Sequence, residues 1–456
     1  MSSSTRITID RSRLAAARER EMERFGAAHP SSRSLYERAR GSLPGGVPMS
    51  WMVKWAGPHP VFVAEAKGAH FRCVDGHDYV DFCLGDTGAM AGHSPAGSVP
   101  AIAAALGRGI TTMLPNEDAI LVGEELQRRF GLRYWQFTLT ATDANRFALR
   151  LCRQVTGRPY VLVYDHCYHG SVDESFATLH DGAVGPSEGN IGPAVDPRLT
   201  TKVVQWNDVA ALEAALAPCD VACVLAEPVM TNVGIVHPEP GYHAALREIT
   251  RRTGTLLIID ETHTICAGPG GCTRTDGLEP DLLTIGKAIG SGIPAGTYGF
   301  TEEVAARIAA ANSDLELVDV GGVGGTLAGN ALSLAAIRAT LEHVLTDEAF
   351  ARMIPLAERW TAGVQAAIDE LALPWHVSRL GCRAEYLFRA ELPRTGAEAA
   401  LGMDFELQQY MHLHALNRGI LLTPFHNMAL MSPDTSADDI DRHTAAFREA
   451  AVDVAG

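Results

Sequence analysis

The sequence predicts an α/β protein: a large domain on a mostly parallel central sheet, plus a smaller α+β domain assembled from both chain ends. Three observations lead there. From about residue 120 onward, short apolar runs alternate with helical patterns, the order that strand–helix–strand units leave in a sequence. The runs are apolar almost throughout, as strands covered on both faces are. Both flanks break the alternation. The boundaries read from these shifts are 1–85 for an N-terminal segment of the smaller domain, 86–335 for the large domain and 336–456 for the remainder of the smaller one.

The elements follow in order. Residues 60–82 read as a small antiparallel meander turning at Asp75–Gly76. "DANRFALRLCRQV" puts Ala144, Phe147, Ala148, Leu151, Cys152 and Val155 at helical spacing. "YVLVY" (160–164), "VACVLA" (221–226), "TLLIID" (255–260) and "LLTIG" (282–286) are β-rich runs bounded by Gly, Pro or polar residues. Residues 180–200, rich in Gly and Pro, read as a surface loop. After long helical patterns, "EYLFRA" and "GILLTPF" are candidate strands of the smaller domain.

Bulk properties narrow the function. The 38 basic and 54 acidic residues give 38 − 54 = −16, which argues against nucleic acid or an anionic membrane surface as partner. No stretch approaches the apolar length of a transmembrane helix, and the N-terminus has no signal-peptide core. Nine cysteines without CxxC spacing read as reduced thiols of a cytoplasmic protein.

In open α/β sheets, ligands gather beyond the carboxyl ends of the strands. Five strand ends here carry polar residues. "TATDAN" opens a helix, where Thr140, Thr142 and free backbone amides suit a phosphate, although Thr140 also reads as an ordinary N-cap. Tyr168 and His169 follow "YVLVY", and Glu227 follows "VACVLA". Asp260 ends an apolar strand, where a carboxylate is costly unless paired with a protonated ring nitrogen, an arginine or a metal. Asp260, Glu261 and His263 lack the further ligands a metal site needs. Lys287 is one of only four lysines and sits in an uncharged, Gly-rich stretch, where a desolvated amine serves as a nucleophile. A phosphate, a flat ring, a ring nitrogen kept protonated and an aldehyde that takes an amine together describe pyridoxal 5′-phosphate.

At this point the chain resembles the class III, fold-type-I, pyridoxal-phosphate-dependent aminotransferases. It leans toward the branch that contains glutamate-1-semialdehyde aminomutase and β-amino-acid transaminases. The resemblance rests on "LPGGV", "GAHFRCVDGHDYVDF", "GHSP", "CYHG", "EPV", "LLIIDET", "DLLTIGKAIGSGIP" and "GGTLAGN". It implies that Lys287 is the Schiff-base lysine and Asp260 the partner of the pyridine nitrogen. It further implies that Tyr168 stacks on the ring, that Ala141 and Thr142 hold the phosphate, and that Thr326 reaches the phosphate of a neighbouring subunit. A homodimer with shared sites follows from that last role. The activity implied is transfer of an amine from an amine or amino-acid donor to a keto or aldehyde acceptor. The alternative is an aminomutase that shuttles the amine within one molecule.

The chain departs from the family in three places. The phosphate turn reads "TATDA" instead of Ser-Gly-Thr-Glu-Ala, so the backbone at Ala141 has to avoid positive φ. Thr262 stands where valine is usual beneath the ring. "GGVPMSWMVKW" carries no arginine, and Trp51, Met52 and Trp55 read either as packing at the domain interface or as a pocket suited to hydrophobic amines.

Overall fold

The computed structural model describes residues 9–311 and 322–455. Residues 1–8 of the N-terminal segment and Gly321 of the Gly-rich loop therefore lie outside the described residues. The chain divides into two compact units. One comprises Met1–Pro95, Glu348–Leu392 and Leu401–Gly456; the other comprises Ala96–Asp347 and Pro393–Ala400.

The first unit is α+β. Its meander is built from Val63–Lys67, His70–Cys73 and Asp78–Asp81, with Ile420–Leu421 added in parallel to the third strand. Gly76 takes a φ of 87° in the turn between the second and third strands, a conformation glycine reaches without a Cβ clash. Phe25, Phe71, Tyr79 and Leu413 are buried against one face of this sheet. "GILLTPF" supplies only the two-residue strand Ile420–Leu421, because Pro424 has no amide to continue a ladder. "EYLFRA" contributes to Arg383–Leu387, which pairs with His376–Leu380 and Met428–Leu430.

The second unit holds a seven-stranded sheet: β1 (Tyr134–Thr138), β2 (Tyr160–Tyr164), β3 (Thr201–Val204), β4 (Val221–Ala226), β5 (Leu256–Asp260), β6 (Leu282–Ile285) and β7 (Gly296–Phe300). The spatial order is β1-β7-β6-β5-β4-β2-β3, and only β7 runs antiparallel to its neighbours. Alternation along each strand sends side chains to two cores. Val161, Val163, Leu256, Ile258 and Leu282 face helix α1 (Ala141–Thr156), which buries Ala148, Leu149 and Cys152 against them. Leu162, Tyr164, Leu257 and Ile259 face the helices that carry Leu212, Leu216, Leu246 and Ile249. Burying one such aliphatic side chain is worth about 2 kcal/mol, so both faces have to be covered.

Residues 180–200 are not a plain loop. Ala183–Pro186 pairs with Ala177–His180 in a hairpin, with Asp181 and Gly182 both at positive φ in its two-residue turn. Weak alternation and two prolines near the strand hide it in the sequence.

Candidate active site

The period-two alternation that builds the core also builds the site. Leu256 and Ile258 face α1, so Asp260 faces it too. Leu282 faces α1, and so does Thr284, which is paired with Asp260 across the β5–β6 ladder. On α1, Asn145 falls within the buried stripe and is fully enclosed. Its Nδ2 donates to Asp260 Oδ2 at 2.9 Å and to the His169 carbonyl at 3.1 Å, and its Oδ1 accepts from Thr284 Oγ1 at 2.6 Å. One amide thus ties α1, β5, β6 and the loop after β2 together.

Asp260 is almost wholly buried, and an unpaired carboxylate there would cost several kcal/mol. It is not unpaired. His169 Nδ1 donates to Oδ2 at 2.9 Å, and the Thr262 amide donates to Oδ1 at 3.0 Å. Burial pushes Asp260 up, but its bond and charge contact with His169 outweigh that and hold it down at about 2. Burial likewise lowers His169, and the bond to Asp260 together with the neighbouring Cys167 more than reverses it, to about 10. The pair is an imidazolium and a carboxylate at neutral pH. His169 is therefore the orienting partner of Asp260.

The entrance to α1 lies beside these groups. Thr140 caps the helix, accepting from the Asp143 amide at 3.1 Å, while the amides of Ala141 and Thr142 have no intrahelical acceptor by position. Ala141 is helical and avoids positive φ. Two glycines keep the space near it clear. A Cβ at Gly286 would lie 2.9 Å from the Ala141 amide nitrogen, and one at Gly170 would lie 2.1 Å from Thr142 Oγ1. Phosphate-sized anions settle at such helix starts.

Lys287 follows Gly286 in the turn after β6, half-buried, with φ at 49°. The left-handed region costs a non-glycine residue roughly 1 kcal/mol, a strain typical of functional sites. Its Nζ lies 2.7 Å from His263 Nε2. Glu227, at the end of β4, is buried and held by the Thr231 amide (3.2 Å) and hydroxyl. Burial pushes it up, and the charges of His169 and Asp260 both act on it. Glu261 is spent on Thr264, Cys272 and Thr273, which leaves it no part in a metal site.

The other expected residues are more dispersed. Tyr168 is 43% exposed and meets Phe176 edge-on. Thr326 is exposed on a turn that lines a cleft of about 750 Å³ with Ile110–Pro115, and none of the residues above lines that cleft. In the first unit, Trp51, Met52 and Trp55 do come together. With Val47, Phe62 and Phe71 they line an apolar cavity of about 410 Å³ that also includes the Asp81–His93 pair and no arginine. Asn145 and His263 have no assigned role in the sequence reading. The signal for Asn145 was an amide inside an otherwise apolar helix stripe.

Residues 52–450 match the family model for class III aminotransferases. A glutamate-1-semialdehyde 2,1-aminomutase of Cenarchaeum symbiosum is 32% identical over 92% of this chain and 98% of its own length. A crystal structure described as a glutamate-1-semialdehyde aminomutase from Pseudomonas aeruginosa PAO1 superposes with a TM-score of 0.96 at 49% identity, covering 98% of this chain and 99% of that one. A β-phenylalanine aminotransferase from Variovorax paradoxus superposes with a TM-score of 0.84 at 26% identity, covering 96% and 97%.

Proposed function

This chain belongs to the class III aminotransferases, enzymes that work with pyridoxal 5′-phosphate, and we propose that within the family it is an aminomutase of the glutamate-1-semialdehyde type. The sequence alone puts net amine transfer first and isomerisation second. The comparisons favour the second. The observation that carries the isomerase reading is likeness along almost the whole chain, by sequence and by structure, to proteins of that name.

The residues fit the cofactor. The hollow kept open by Gly170 and Gly286 at the start of α1 would take its phosphate, on the Ala141 and Thr142 amides beside Thr140. Asp260, fixed by His169 and Asn145, would hold a proton at the ring nitrogen. Tyr168 and Thr262 would flank the ring, with Glu227 behind His169. When bound, the cofactor supplies an electron sink for the substrate carbon that bears the amine. Lys287 Nζ would carry the cofactor and, once displaced by the substrate amine, move a proton between carbons. The exposed Thr326 turn supports a homodimer in which that threonine serves the neighbouring site. Among the described residues no helix is long and apolar enough to cross a membrane. With none of the nine cysteines in a disulfide, that supports a cytoplasmic setting.

Loaded enzyme given glutamate-1-semialdehyde alone is expected to form its aminoketone isomer without any added acceptor. Net amine transfer to an added 2-keto acid with no isomer formed would reject the reading. That transaminase reading keeps one specific support: the Trp51, Met52 and Trp55 cavity, apolar and free of arginine, suits hydrophobic amines better than a carboxylate. If it is right, Trp51→Ala changes the profile of hydrophobic amines accepted.

A further inference from the structure

The β5–β6 register places a second group on Lys287. In the parallel ladder Asp260 is level with Thr284, an offset of 24 residues. Both strands then end in turns, and His263 and Lys287, also 24 apart, stay level beyond them. Their side chains meet at Nε2 and Nζ, 2.7 Å apart, both half-buried. Two nitrogens at that distance need a donor and an acceptor, so the pair cannot be protonated on both facing atoms. One proton lies between them.

Resting on the cofactor-dependent reading above, we propose that His263 is a positioning and proton-holding residue for Lys287. As the amine enters the reaction, Nε2 takes a proton from the Lys287 ammonium, leaving a transient neutral amine and an imidazolium. It returns the proton when Lys287 is next released as a neutral amine, which regenerates the ammonium and the neutral imidazole. Nothing is consumed, because one N–H bond breaks as another forms. The neutral amine then has its lone pair free, as a nucleophile or as a base toward carbon.

Other ionisable groups on the elements packed around these turns are engaged elsewhere or exposed. Asp260 and His169 hold each other, Glu227 is bound to Thr231, and Glu261 to Thr264 and Thr273. On the helix Ala331–His343, Arg338 pairs with Asp118 and Glu342, and His343 lies near Glu342. Tyr298 donates to Gln136. Cys266 and Cys272 are buried, and Arg274 is exposed.

The test uses the full-length chain freed of cofactor, a water-soluble amine-acylating reagent, and peptide mass spectrometry across pH 6–10. The chain has only four lysines, so Lys54, Lys67 and Lys202 are internal controls for folding. His263→Gln keeps a hydrogen bond but cannot take a proton; His263→Phe keeps neither. In both, labelling of Lys287 at pH 7.5 is expected to fall about tenfold relative to the three control lysines, because the amine loses the base that takes its proton. Added imidazole is expected to restore part of it in His263→Ala. Unchanged Lys287 profiles with unchanged controls would overturn the inference. Changed controls in one variant pass the decision to the other two. The same samples are then given pyridoxal phosphate. A parent chain that takes it up with an absorbance band missing in Lys287→Ala upholds the underlying reading whatever His263 does, and a parent that takes up none overturns that reading.

Discussion

Replacing Asn145 by alanine tests whether one buried amide assembles the site. Its three hydrogen bonds include one to a carboxylate and two between neutral groups. A bond to a charged partner contributes about 2 kcal/mol and a neutral one about 1 kcal/mol, so Asn145→Ala should cost about 4 kcal/mol. Asp260 keeps His169 and the Thr262 amide, so it should stay ionised, and the loss should appear mainly as stability. At about 2–3 °C per kcal/mol for a unit of this size, the melting midpoint should drop by about 10 °C. Circular dichroism of the cofactor-free chain reads it directly. Asn145→Asp sharpens the test, since it is nearly isosteric but turns a donor into a second carboxylate facing Asp260. That variant should be less stable than Asn145→Ala at pH 7.5 and recover part of the difference by pH 5, as the added carboxyl takes a proton. A midpoint for Asn145→Ala within about 2 °C of the parent would refute the bracket role.

Gly170→Ala puts a methyl 2.1 Å from Thr142 Oγ1 at a φ of 79°; it should cost about 3 kcal/mol and weaken pyridoxal phosphate binding, measured by melting and by fluorescence titration. Lys287→Ala should abolish turnover and covalent attachment of the cofactor while melting within about 2 °C of the parent, checked by absorbance and intact mass. The His169–Asp260 pair gives a pH signature. His169 is raised from 6.5 to about 10, so its contribution is complete below about pH 6.5 and is lost as pH rises through 10. Asp260 is lowered from 3.8 to about 2, so its contribution is complete above about pH 3.8 and is lost as pH falls through 2. The stability gap between the parent and His169→Asn should therefore be largest near pH 5–6 and shrink by pH 10, and a gap that widens toward pH 10 would contradict the assigned charges.

How much of this was legible in sequence depended on whether a feature was local or relational. The parallel strands were legible because burial on both faces leaves continuous apolar runs, and Asp260 stood out because a charge interrupts such a run at its last residue. Lys287 stood out by scarcity. The hairpin Ala177–Pro186 was missed although Asp181–Gly182 is the same kind of turn pair as Asp75–Gly76, because the strands on either side of it alternate weakly. Asn145 was quoted but not assigned, since the sequence shows an amide on a helix without showing which strand it meets. His263 is the clearest case. Read along the chain it is the neighbour of Asp260 and Glu261, which raises the question of a metal. Read across the sheet it is the neighbour of Lys287, which raises the question of a proton. The register decides between those questions, because an offset of 24 set by Asp260 and Thr284 inside the ladder still holds three residues past its end. A residue's chemistry there belongs to the strand beside it more than to its own neighbours in the chain. Any insertion in the turn after β5 that slips His263 by one residue should therefore uncouple it from Lys287 while leaving Asp260 and His169 paired.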